Sequence, residues 1–195
     1  LKQHKGYEDL FEGYNEADLH RGQIEKMLRL TVYRDFSKLY RFANVEQRKF
    51  LALYFKRYEV SVIKECLNTV FDHRDVVLNL SIFDEFFNKH SQLDINLLAS
   101  SRTIEELIAN LKGTEYYAPL SQLADIERPT LFDYEMTLDL YYFAQMWKDR
   151  SKVVTKRDLE ELTAAWGSKF DMLNLQWIYR SKKYYQLSTA DIYAL

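Results

Sequence analysis

The sequence predicts an all-α protein, and three observations carry that expectation. Glycine and proline are scarce, 5 and 2 in 195 residues, where average usage of the two together is about 12%. The turn residues that a sheet protein needs every few strands are therefore missing. Helix-capping residues recur along the chain, each followed by apolar residues spaced three and four apart. Hydrophobic residues make up 47% and charged residues 29%, enough to build a core and too apolar for a disordered chain. A chain of 195 residues allows one large domain or two small ones.

The elements follow in order. Asn44 with Gln47 makes a capping box that opens a long helix through about Thr69, with Phe50, Leu51, Tyr54, Tyr58, Val62, Ile63 and Leu67 at the helical period. Residues 71–102 are less regular; Ser81 to Phe87 reads as a short helix followed by a polar connection. Thr103 with Glu106 opens a helix from Ile104 to Lys112, which Gly113 is placed to close. Thr114 starts a further short segment containing Tyr116, Tyr117 and Leu120. Pro129-Thr130 ends that unit and starts a helix from Leu131 to about Asp149. Thr155, with Asp158 three residues on, begins a helix carrying Leu159, Leu162, Trp166, Phe170, Leu173 and Trp177, spaced 3, 4, 4, 3 and 4. Gly167 sits inside it at a cost of about 1 kcal/mol relative to Ala. Met172, Leu175, Ile178 and Tyr179 make this helix apolar on a second side, so it is expected to be buried between others, like the long helix from Asn44. Ser188 to Ile192 reads as a helix just starting. With a first residue other than Met, the chain is expected to be a fragment of a longer protein.

Several function classes find no support. Lys and Arg number 27 against 29 Asp and Glu, a net charge of −2, which removes the general electrostatic argument for nucleic acid or an anionic membrane. No apolar run approaches the ~18 residues of a membrane span, and no signal peptide opens the chain. There is no phosphate-binding glycine loop. His4, His20, His73 and His90 show no metal-ligand spacing. The lone Cys66 excludes an intrachain disulfide and reads as a buried, inert thiol. The carboxylate pairs Glu105-Glu106, Asp133/Glu135 and Glu160-Glu161 could serve an acid–base enzyme, but acids near helix starts ordinarily favour the helix dipole. No residue is assigned a catalytic, cofactor-binding or metal-ligating role.

The segment from Phe170 to Tyr185 is the most informative. Asp171 and Asn174 share a face with Leu175 and Ile178, and burial would require each polar group to find a partner, since an unsatisfied one costs about 1–3 kcal/mol. Asp171→Leu is therefore expected to destabilise the fold. Arg180, Lys182 and Lys183 beside Tyr184 and Tyr185 could stack on single-stranded nucleic acid, or complement the helix dipole while lying over apolar surface; the charge balance favours the second. A weak internal repeat relates Leu28 to Tyr33 with Leu111 to Tyr116, and Tyr58-Glu59-Val60 with Phe170-Asp171-Met172, the helix from Leu131 filling the longer second copy.

These residues resemble a family: the C subunits of the V/A-type rotary ATPases, whose eukaryotic equivalent is known as the d subunit. The resemblance rests on Asp171-x-x-Asn174-Leu175-x-x-Ile178-Tyr179-Arg180-x-Lys182-x-Tyr184-Tyr185-x-Leu187-Ser188. It is joined by Phe50-Leu51-x-x-Tyr54-x-x-x-Tyr58-Glu59-Val60 with Lys64, and by Ile104-Glu105-Glu106-Leu107 followed by Leu111-Lys112-Gly113-Thr114-x-Tyr116. Val62 and Ile63 follow Glu59 where Asn174 and Leu175 follow Asp171, a departure between the two copies. The resemblance implies three similar helical domains around a pseudo-threefold axis in a shallow funnel. On that reading, residues 1–75 form a first repeat, 76–102 a connecting segment with a short helix, 103–187 a second repeat, and 188–195 the start of a third. It further implies a non-catalytic part of the central stalk, without cofactor, lying on the cytoplasmic face of the membrane. Its partners would be the central-shaft subunits and the membrane rotor ring. Tyr58, Glu59, Lys64, Asp171, Asn174, Arg180, Lys182 and Tyr185 are the structural or partner-contact candidates. The competing reading is a helical nucleic-acid-binding regulator using residues 180–185.

Overall fold

A computed structural model of the chain describes Tyr7 and residues 19–72 and 78–194, and among them every regular element is helical. Four long helices dominate: α1 (Arg21–Phe42), α2 (Val45–Phe71), α7 (Leu131–Val153) and α8 (Lys156–Lys183). The shorter α3 (Asp84–His90), α4 (Ile95–Ser100), α5 (Ile104–Asn110) and α6 (Tyr117–Ser121) lie between α2 and α7 in sequence, and α9 (Thr189–Ala194) follows α8.

Where the sequence carries caps, the helices start on them. Asn44 Oδ1 accepts from the Gln47 amide at 2.9 Å, and Gln47 Oε1 returns the bond to the Asn44 amide at 2.9 Å. Thr103 caps α5, Thr130 exchanges bonds with Asp133 at the start of α7, and Thr155 does so with Asp158 at the start of α8. Each such pair satisfies amides that the first helical turn would otherwise leave without acceptors. Gly113 has φ +88°, the left-handed geometry that ends the turn after α5 and that a Cβ disfavours. The α5 helix itself closes at Asn110, two residues short of the expected end.

Two helices were not expected. The first, α1, lacks a strong cap at its start, but Met27, Tyr33 and Phe36 are buried along it. The second, α4, falls in the supposed polar connection, where Asp94 accepts from the Leu97 amide at 2.9 Å and Ile95 and Leu98 are buried.

The core lies around α2. Leu53, Phe55, Val60, Val62, Ile63, Cys66, Leu67 and Val70 are buried on it, pointing in several directions because α1, α4, α5 and α7 all pack against it. Against one side sits an aromatic cluster. Tyr33 stacks on Phe86 at 4.2 Å between ring centroids, and Phe36, Phe55, Tyr58 and Phe87 meet these rings edge-on or tilted. Such arrangements satisfy ring quadrupoles while burying large apolar area. Against the other side, α7 contributes Tyr134, Leu138, Tyr142 and Met146 to the same core. Cys66 is 2% exposed, and burial pushes its thiol up to about 12, so it is the inert thiol the sequence implied.

The expectation for α8 is half met. Its stripe of Leu159, Leu162, Trp166, Phe170, Leu173 and Trp177 is buried or half-buried. Phe170 and Trp177 pack on Phe143 of α7 at 5.0 and 5.7 Å, and Trp166 lies 6.0 Å from Phe50 of α2. The second apolar side is open. Met172 is 67% exposed and Leu175 63%. Only one side of α8 has neighbours among the described residues, so it is a surface helix here and not a central rod like α2.

Candidate functional site

The predicted candidates separate into two groups that do not meet. Tyr58, Glu59 and Lys64 lie on α2; Asp171, Asn174, Arg180 and Lys182 lie on α8, with Tyr185 just beyond it.

Glu59 anchors the first group. Its position on α2 turns it inward, where it is 8% exposed. Tyr116, from the turn between α5 and α6, donates its hydroxyl to Glu59 Oε2 at 2.6 Å. Ser91, from the segment after α3, donates to Glu59 Oε1, and its oxygen also accepts from the Leu93 amide at 3.0 Å. A single carboxylate therefore ties three stretches of chain. Burial raises the Glu59 carboxyl above its ordinary range, and the Ser91 and Tyr116 bonds only partly oppose that. The Tyr116 hydroxyl is also raised, by burial and by the adjacent carboxylate. Neither the groove of about 950 Å³ at the α1–α2 corner nor the cavity of about 420 Å³ between α1 and α3 includes Glu59 in its lining. Sequence reasoning singled out Glu59 but not Ser91, and named Tyr116 without pairing it to Glu59.

Around this clasp run polar links between α2 and its neighbours. Lys64 pairs with Asp139 of α7 at 2.6 Å, and Asn68 donates to Glu135 of α7 at 2.8 Å. Lys56 pairs with Glu115 at 2.5 Å, while Tyr141 of α7 donates to the same carboxylate at 2.8 Å. Arg29 of α1 is bridged to Glu65. Burial raises the Asp139 carboxyl even with Lys64 beside it. Tyr58 belongs to the aromatic cluster, with Arg57 over its ring at 5.7 Å. Three of these carboxylates have structural work: Asp133 and Glu106 hold helix starts, and Glu135 receives Asn68; Glu105, Glu160 and Glu161 are exposed. Among the described residues, no group of three His, Cys, Asp or Glu side chains could hold a metal ion; His4 and His73 lie outside those residues.

The second group is exposed, which corrects an expectation. Asp171 and Asn174 both face solvent, and Asp171 makes no hydrogen bond or ion pair among the described residues. The buried polar bond expected from its apolar neighbours is absent, because no described residue packs against the side of α8 on which it lies. Glu59 is thus a buried clasp, whereas Asp171 is an exposed acid. Arg180 and Lys182 are exposed too, and Tyr185 rests on Phe132 of α7 at 4.3 Å. Lys183 donates to the Tyr179 hydroxyl at 2.6 Å and lies over the Tyr179 and Tyr184 rings. One residue the sequence did not flag is Ser181, 1% exposed, whose carbonyl accepts from the Leu187 amide at 3.1 Å as the chain turns off α8.

An all-helical body, braced by buried polar contacts and lacking a helix long and apolar enough to cross a membrane among its described residues, defines a helical scaffold. Comparison with known proteins gives that scaffold a family. Residues 1–195 match the family described as ATP synthase (C/AC39) subunit, and the chain belongs to it. It is 28% identical over 179 residues to the C subunit of the A-type ATP synthase of Methanosarcina mazei, covering 90% of this chain and 46% of that protein. It is 24% identical over 162 residues to the C subunit of the A-type ATP synthase of Methanocaldococcus jannaschii, covering 82% of this chain and 40% of that one. The chain thus spans less than half the length of these curated relatives. No solved structure matches it.

Proposed function

We propose that this chain is the rotor-adapter part of a V/A-type rotary ATPase or ATP synthase. On this reading it is a non-catalytic socket on the cytoplasmic face of the membrane, receiving the foot of the central shaft and passing torque to the membrane rotor ring. Three similar helical units around a pseudo-threefold axis would complete the funnel, with residues 1–75 and 103–187 as two of them. The observation that carries the reading is the family match over residues 1–195.

The physical support is mechanical. A part that transmits torque needs broad contacts and resistance to shear, not a reactive group. Close-packed interiors transmit strain, and here the apolar packing of α2 on α7 is supplemented by the Lys64–Asp139, Asn68–Glu135 and Lys56–Glu115–Tyr141 links. Such partly exposed pairs add little net stability, and on this reading their part is to hold the register of neighbouring helices.

The test is to mix the protein with purified shaft subunits and follow co-elution in gel filtration, with a duplex and a single-stranded oligonucleotide as parallel probes. Co-elution with the shaft at micromolar concentration is the expected result. Failure to associate with the shaft, or oligonucleotide binding that falls steeply with salt, would overturn the reading.

A further inference from the structure

Glu59 is a buried acid to which no cation is paired among the described residues. Lys56, one turn before it on α2, is taken by Glu115 at 2.5 Å, and Glu115 adds a second acid beside Tyr116 in the turn between α5 and α6. The charged and titratable groups on neighbouring elements are engaged elsewhere. Arg29 of α1 is bridged to Glu65, Asp139 of α7 pairs with Lys64, and Tyr141 of α7 donates to Glu115. Asp94 caps α4, and His90 of α3 packs in the aromatic cluster. An ionised Glu59 is therefore left with two hydroxyl donors, where a carboxylate has about four acceptor sites. A buried charge so poorly matched favours its neutral form.

The neutral form has a geometry of its own. A protonated carboxyl must give its hydrogen to something, so one of the two hydroxyls that donate to Glu59 has to turn and accept. Tyr116 is badly placed for this: it is 2% exposed, and its hydrogen would lose the acceptor it now has. Ser91 is half-buried, so its hydrogen can swing out to water. Its oxygen already accepts from the Leu93 amide at 3.0 Å, and a hydroxyl oxygen has a second lone pair for the carboxyl proton.

From this we propose that Glu59 and Ser91 form a proton-operated latch on the segment joining α3 to α4. In the loose position Glu59 is ionised, and Ser91 and Tyr116 both donate to it. In the closed position Glu59 Oε1 holds a proton taken up from water and donates it to Ser91 Oγ. The Ser91 hydrogen then points outward, while Tyr116 still donates to Oε2. Opening the segment hydrates Glu59 and brings its carboxyl back toward the ordinary value, from which burial had raised it. Opening is therefore hardest in acid, and becomes easier as pH rises through the folded value. The latch stands apart from the adapter reading, since it involves this chain's own residues only.

Carbon-13 NMR of the carboxyl groups in the 195-residue chain tests it, together with hydrogen exchange at the Leu93 amide. The Glu59 carboxyl is expected to titrate above 4.5, and Ser91→Ala, which removes a donor to the anion, to move its midpoint further up. Protection at Leu93, taken relative to an unstructured amide at the same pH, should fall as pH is raised from about 4 to 7. Glu59→Gln, whose amide can donate to Ser91 at every pH, should show no such fall. His90 and Asp139 titrate in both proteins and cancel from the comparison. A Glu59 midpoint at or below 4.5, a midpoint unmoved by Ser91→Ala, or the same pH profile at Leu93 in the wild type and Glu59→Gln would overturn the proposal.

Discussion

Glu59 takes its two hydroxyl donors from residues 32 and 57 positions away in sequence, so its loss would be felt in three segments together. Hydrogen bonds to a charged group contribute about 1.5–3 kcal/mol. Tyr116→Phe removes one donor, keeps the ring, and leaves the carboxylate with Ser91 alone. We expect a loss of about 1–3 kcal/mol, read as a lower urea midpoint at unchanged slope. A midpoint equal to that of the wild type would show that the clasp carries no load. The pH dependence has a definite sign. The folded state raises the Glu59 carboxyl above its reference value of 4.5, so it favours the protonated form. That contribution is complete below the reference value and is lost as pH rises through the folded one. Glu59→Gln stays neutral and can still accept from Tyr116. Its stability relative to the wild type should therefore improve as pH is raised from about 4 to 7; Asp139, raised in both proteins, cancels from the difference. Parallel stability curves would contradict the assignment. Gly167 offers a simpler case. A Cβ there would meet Trp147 at 3.8 Å, ordinary contact distance, and alanine is the better helix former by about 1 kcal/mol. Gly167→Ala should raise the melting temperature by about 2–4 °C, and a fall would mean that the helices cannot accommodate the methyl group.

At the scale of the helix, local chemistry made some features legible and hid others. The starts of α2, α5, α7 and α8 could be read because a cap is a contact between residues three apart. The inward stripe of α8 could be read because its period is helical. What could not be read is how many neighbours a helix has. Both α2 and α8 are apolar on more than one side, yet α2 is packed on by α1, α3, α4, α5 and α7 while α8 leans on α7 and touches α2 at Trp166. Periodicity reports where apolar residues point, not what covers them. The same limit explains α1, which has the spacing Met27, Leu30, Tyr33, Phe36 and Tyr40 but no strong cap to announce it. For Asp171 the consequence is a reversal. Asp171→Leu exchanges one exposed side chain for another, and the effect on stability should stay within about 0.5 kcal/mol. A loss above about 1 kcal/mol in thermal unfolding would mean that Asp171 is held by something the described residues do not supply.

At the scale of the molecule, the described residues share a hydrophobic core drawn from α1, α2, α3, α7, the short helices between and Trp166 of α8. The aromatic cluster braces α2 against α1 and α3, and the polar links brace it against α7. The class of fold was legible because glycine and proline are too few for anything else. The site was half legible, since Glu59 and Lys64 lie on a helix with clear caps while their partners Ser91, Tyr116 and Asp139 are fixed only by tertiary structure. The proposed adapter role requires α2 and α7 to move as one body. Native-state hydrogen exchange of the chain tests that most directly, since cooperative units open with a shared free energy. The buried amides of both helices should exchange only through the same global opening, with matching free energies and matching sensitivity to urea. Exchange of α7 through a separate, lower-energy opening while α2 stays protected would contradict it.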